Sequence, residues 1–285
     1  MKCYFFLPLF LLLVSSASAS YIEMRVQNFS SNFVPSSPGE INLSVSNFGD
    51  ERAYEIHLGF VVPEELNSNT VFLGVMEPNT SLLVPLTVDF PERVLQGEYC
   101  FNLVLFYADG NDFPFSMANP VQIVYGRAAE SMVKGEMEDV DVRGEDVETL
   151  RLELTNFDVV DREARVTLYG PGEINVDSPS RKFLIPGGSE ALVEWNVSSL
   201  GALPDSSYLV FAVTEYEDQL HYSSVARAHV NVNKYWDFFV LMKFLVPAAT
   251  ISALVYLILN EIKLGNVLHK ARPPKKRKSR RRGRR

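Results

Sequence analysis

The sequence predicts an all-β protein: two tandem immunoglobulin-like β-sandwich domains followed by a single transmembrane α-helix. Three observations carry this. Short runs alternate apolar and polar residues between turn signals, with no amphipathic helical period among them. The same order of runs occurs twice, about 109 residues apart, a spacing the size of a domain rather than of a solenoid repeat. One long apolar stretch then separates an acidic body from a basic tail.

The chain opens MKCYFFLPLFLLLVSSASAS, with Lys2 in a basic start, an apolar run from Cys3 to Val14, and Ala17-Ser18-Ala19 as a small-residue cleavage pattern. Residues 1–20 read as a secretory signal peptide, because the run is too short to cross a bilayer and its exit is small and polar. The first sandwich is expected at 21–126 and the second at 127–233. INLSVSNF, Ile41 to Phe48, matches LRLELTNF, Leu150 to Phe157. Ile41, Leu43 and Val45, like Leu150, Leu152 and Leu154, share one face, as in a half-buried strand. Asn47-Phe48 and Asn156-Phe157 end the two runs in a turn. YEIHLGF and ARVTLY follow, with Ile56 and Leu58 in the places of Val166 and Leu168. A Pro-led turn then precedes each of two further strands, whose inward sets are Leu82, Val84, Leu86 and Val88, and Ala191, Val193, Trp195 and Val197. Tyr99 and Tyr208 open the last pair of matched strands, at the tyrosine-corner position of immunoglobulin-like sandwiches. The joint is placed in GRAAESMVKGEMEDVD, where apolar periodicity lapses and an acidic linker is expected.

The helix with its flanks is expected at 234–262. Phe238 to Leu259 holds 22 residues and a single charge, Lys243. At 1.5 Å per residue it would be about 33 Å long, enough for a hydrocarbon core of roughly 30 Å. Lys243 lies near one end, where its stem can snorkel, and Tyr235 and Trp236 sit where aromatic rings favour the interface. From residue 263 the tail has 12 basic and no acidic residues, whereas residues 20–232 have 12 basic and 33 acidic ones. The positive-inside rule therefore puts the tail in the cytoplasm and the sandwiches outside, a type I topology in the cell membrane.

Removal of the signal would remove Cys3 and leave Cys100 alone, so no intrachain disulfide is expected and hydrophobic cores must hold the exported part. Cys100 reads as a small packed residue. Asn28, Asn42, Asn79 and Asn196 head N-x-S/T sequons and are glycosylation candidates. His57 points to the polar face by strand parity, and each histidine is expected at a solvated surface. No HExxH, GxSxG, Walker or GxGxxG pattern occurs, so neither an enzyme nor a cofactor is expected. Glu136, Glu138, Asp139 and Asp141 crowd the joint and are calcium candidates, since Ca²⁺ takes six to eight oxygen ligands. Asp109-Gly110-Asn111-Asp112 reads as a hairpin turn.

In the tail, Lys275, Lys276, Arg277, Lys278, Arg280, Arg281, Arg282, Arg284 and Arg285 form a polybasic surface. Two partners fit: anionic lipid headgroups, at about 1 kcal/mol per basic residue near the surface, and ribosomal or other RNA, whose phosphates such residues bind without sequence preference.

Ser46-Asn47-Phe48-Gly49, then Glu77-Pro78-Asn79-Thr80, then Gly97-Glu98-Tyr99 resemble, in that order, the immunoglobulin-like modules of archaeal S-layer-related surface proteins and the cell-adhesion-related (CARDB-like) domains of bacteria. The resemblance covers both repeats. The second copy departs from it, with Asn156-Phe157-Asp158 at the glycine step and Ser206-Ser207-Tyr208 for Gly-x-Tyr. It implies a surface scaffold or adhesive module with a protein or glycan partner outside, and no catalytic residue. The order of signal, acidic exterior, sandwich, span and basic tail is also similar to the layout of the alpha subunit of the translocon-associated complex. That likeness implies a membrane accessory of protein export whose tail contacts the ribosome.

Overall fold

The computed structural model describes residues 21–28, 32–33, 39–63, 65–234 and 238–270. The expected signal peptide and the nine tail residues from Lys275 lie outside the described residues. The first half holds nine strands: β1 (Met24–Asn28), β2 (Asn32–Phe33), β3 (Gly39–Asn47), β4 (Ala53–Val61), β5 (Asn67–Ser68), β6 (Thr70–Met76), β7 (Thr80–Asp89), β8 (Gly97–Ala108) and β9 (Pro114–Tyr125). The second half repeats them: β10 (Val133–Met137), β11 (Val140–Arg143), β12 (Glu148–Asn156), β13 (Arg162–Tyr169), β14 (Ile174–Val176), β15 (Ser180–Ile185), β16 (Glu190–Ser199), β17 (Ser206–Glu217) and β18 (His221–Asn233).

In each half a four-stranded sheet, β1-β3-β7-β5 or β10-β12-β16-β14, faces a second sheet, β6-β4-β8-β9 or β15-β13-β17-β18. A short strand joins that second sheet in parallel, β2 beside β9 and β11 beside β18. Strand for strand this is the immunoglobulin arrangement of two aligned antiparallel sheets, present twice.

The expected alternation is what fills the cores. Ile41, Leu43, Val45, Ile56, Leu58, Leu86 and Val88 are wholly buried in the first, and Leu150, Leu152, Leu154, Val166 and Val197 in the second. Leu82 departs from its expected place: it is 44% exposed, and burial in β7 begins only at Val84. Asn47 and Asn156, both fully buried, hold the corners that the sequence marks as turns. Asn47 Nδ2 donates to Glu51 O (2.8 Å) and its Oδ1 accepts from Gly49 N (3.0 Å); Asn156 repeats this with Val160 O (2.9 Å) and Asp158 N (3.0 Å). Tyr99 Oη donates to Leu95 O (2.6 Å), and Tyr208 Oη accepts from Leu203 N (3.0 Å), tying both tyrosines to backbone just upstream.

The predicted acidic linker needs correction. Its second part is largely strand: β10 and β11 bury Val133 and Val142 completely, and only residues 126–132 connect the halves. The halves are not strung apart but form one compact unit ending at Lys234. The segment from Tyr235 forms another unit, with helix α1 (Phe238–Lys270). Among the described residues no helix is long and apolar enough to cross a membrane. Side chains of α1 are described only at 242, 243 and 245–260, so the expected span reaches outside them. Those from Leu245 to Leu259 are all exposed.

Candidate functional site

The second sheets of the two halves meet along a seam. Strand β4 ends at Val61 opposite Asn102, which leaves the first residues of β8 without a neighbour on that side. His221, the first residue of β18, occupies the vacated edge: it pairs with Gly97, and its N–H donates to Gln96 O (2.8 Å). The His221 ring lies flat on Tyr99, with centroids 3.9 Å apart and planes within 1°. This corrects the expectation of solvated histidines, since His221 is 6% exposed. Alternation gave no warning, because a side chain on the polar face of one sandwich can face either water or a second sandwich. His57 does lie exposed as parity predicts, with its ring 4.7 Å from that of Phe72. His229 is also exposed, 3.5 Å from Asp139.

Farther along the seam, Cys100 and Ala118 of the first half bury against Phe211 and Val213 of the second, a small third core. Burial pushes the Cys100 thiol up to about 12, and the Tyr169 hydroxyl beside this cluster likewise. At the far end, the Glu173 carboxylate accepts from Ser116 N (2.7 Å) and Ser116 Oγ (2.6 Å), and Gly172 N donates to the same hydroxyl (2.6 Å). Asn102, Ser223 and His221, all on seam-facing sides of their strands, each keep a buried side-chain atom with no hydrogen-bond partner: Oδ1, Oγ and Nε2. Glu215 Oε1 lies 3.5 Å from His221 Nε2 without the alignment of a hydrogen bond.

Beside the seam opens a cleft of about 520 Å³. Its floor is the outer face of β13 and β15, carrying Arg165 and Lys182. Its opposite wall is Pro63, Glu65 and Arg93 of the first half, and its inner end is Tyr99, Glu215 and His221. A second hollow, which shares Arg165, Lys182 and Glu215, extends it over Thr167, Ser180 and Arg181. Apart from Tyr99, these cleft residues do not stand out in the sequence, because their convergence depends on two halves meeting at one register.

The calcium candidates do not converge. Glu136, Glu138, Asp139 and Asp141 are exposed, Asp139 Oδ1 accepting from His229 N (2.7 Å) and Asp141 Oδ1 from Asn231 Nδ2 (3.1 Å). Among the described residues no group of three or more His, Cys, Asp or Glu is arranged to hold a metal ion. Asp109 instead caps its hairpin: Oδ1 accepts from Asn111 N (2.8 Å) and Phe113 N (2.9 Å), and these bonds, the Phe113 one foremost, hold its carboxyl below the usual range. Of the sequons, Asn42 and Asn196 are exposed on the outer faces of β3 and β16, and Asn79 is exposed in its turn with a φ of 56°. The Asn28 side chain lies outside the described residues.

No family model and no curated protein matches the chain. Solved structures with a detectable likeness include a type I cohesin–dockerin complex from Clostridium thermocellum (13% identity, TM-score 0.31), matched over 39% of this chain and 99% of that one. A Salmonella alpha-2-macroglobulin mutant (12%, 0.32) and red sea bream transglutaminase (10%, 0.29) are matched over 76% of this chain, and over 16% and 32% of their own. Likenesses this remote carry no argument. The class rests on the strand order itself: an all-β protein of the immunoglobulin-like β-sandwich kind.

Proposed function

We propose that the protein is a single-pass, membrane-anchored cell-surface module of type I topology, whose fused sandwiches act as a structural, adhesive or protein-binding body. The observation that carries this reading is the seam. A buried ring stack, a backbone bridge and the Glu173 clamp join the halves at three places, as a rigid presenting surface requires and a flexible chain of modules does not. Anchoring is supported by Leu245, Val246, Ile251, Leu254, Val255, Leu257, Ile258 and Leu259, large apolar side chains that all stand exposed. The basic tail favours a second reading, a membrane accessory of protein export that touches ribosomes through Lys275 to Arg285.

The test is protease added to intact cells that carry an epitope after Leu264. Digestion should remove the part up to Lys234 and spare the epitope, and a protected amino-terminal part would overturn the anchored reading. Ribosome co-sedimentation from solubilised membranes at low salt, where electrostatic binding is strongest, decides the export reading. Its absence there eliminates that alternative.

A further inference from the structure

We propose that the cleft between the sandwiches binds a single small oxyanion group, a sulfate, phosphate or sugar carboxylate, on Arg165 and Lys182. The register makes the case. Arg165 of β13 lies directly opposite Lys182 of β15, and both project outward because Ala164 and Val166 are the buried members of β13. Like charges facing one another across a strand pair destabilise it unless something neutralises them.

Glu215 of β17 faces Arg165 from its other side, but among the described residues it forms no ion pair with it. Arg25, Arg52, Lys134, Arg151 and Arg162 all have carboxylate partners. Among the described residues no carboxylate lies within ion-pair reach of Arg165, Lys182 or Arg93, although the exterior is strongly acidic. In the next row Thr167 Oγ1 and Ser180 Oγ are 3.0 Å apart, two hydroxyls beside the cation pair.

Two cations without an ion pair among the described residues supply charge, while the two hydroxyls supply direction, which is how proteins hold an oxyanion. Glu65, Glu163, Glu215 and Glu217 also line the cleft. Their four charges would repel a polyanionic chain, so the occupant is one small acidic group rather than a nucleic acid or a densely sulfated polymer.

The test uses the full chain in non-ionic detergent, titrated calorimetrically with sodium sulfate and with sodium glucuronate at constant ionic strength. A saturable heat is expected for at least one. Tighter glucuronate points to an acidic sugar as the source, tighter sulfate to an inorganic or sulfated one. Arg165→Gln and Lys182→Gln should each weaken binding about tenfold or more, the loss of one charge-assisted bond. Arg151→Gln, a cation on another face, should leave it unchanged. Glu215→Gln should tighten it, a gain that misfolding cannot imitate. No saturable heat with either anion, or equal loss with Arg151→Gln, would overturn the proposal.

Discussion

Gly97→Ala tests the seam most directly. A Cβ at Gly97 would lie 1.9 Å from His221 O and 2.7 Å from His221 C and N, all backbone atoms of β18 that no rotamer change can move aside. Gly97 also has a φ of 152°, a conformation that alanine rarely adopts. Strain of that kind costs about 1 kcal/mol or somewhat more. Parting the strands adds the bond from His221 N to Gln96 O, about 1 kcal/mol, and the Tyr99–His221 stack, again about 1 kcal/mol. The expected loss is about 3 kcal/mol in all. Gly188→Ala supplies the control, since Gly188 has a φ of 65° but no atom within 4 Å of the place its methyl group would take. It should cost about 1 kcal/mol, from strain alone. Urea unfolding of residues 21–234, followed by circular dichroism, reads both variants. The joint at 126–132 should also be cut faster by protease in Gly97→Ala. Equal losses for the two alanines, with unchanged cleavage, would refute the claim that backbone contact at Gly97 holds the halves together.

Trp195→Ala should destabilise the second sandwich by about 3–5 kcal/mol, because its side chain is 1% exposed at the centre of that core; a loss below about 1 kcal/mol in the same urea assay would contradict the register of β16. The Cys100 thiol, pushed up to about 12 by burial, keeps its proton in the folded state where the unfolded chain loses it from about pH 8.5. The unfolded state then binds fewer protons, so stability should fall as pH rises beyond that point, by up to about 1.4 kcal/mol per unit from this group. Comparing urea midpoints of the wild type and Cys100→Ala at rising pH checks this, and parallel slopes would rule it out.

Strand parity was legible because each sandwich needs one dry face, and period-two alternation records which face that is. The corners were legible too: Asn47 and Asn156 recur at matched positions because each must satisfy a buried loop through its side-chain amide, and Tyr99 and Tyr208 because each fastens its own upstream backbone. The seam was not. Cys100, Asn102, His221 and Ser223 stand on faces that alternation assigns to solvent, and nothing in a period of two names a second sheet as the occupant of that side. The acidic joint misled because β10 and β11 are short and the turn at Glu138-Asp139 breaks their alternation. Arg165 and Lys182 acquire meaning only once β13 and β15 are set in register, since 17 residues separate them along the chain.

The position of β18 has a mechanical consequence. It is bonded along its length to β17 and, near its end, in parallel to β11, and the chain leaves the body directly from it at Lys234. A pull applied to Lys234 along the axis of β18 would load both sets of bonds. Bonds to a neighbouring antiparallel strand lie across that axis, so the tension shears many of them together instead of peeling them off in sequence. The bridge to Gly97 sits at the opposite end of β18, behind the whole of that shear zone. Load applied at Lys234 along that axis is thus borne by the second sandwich before it reaches the first.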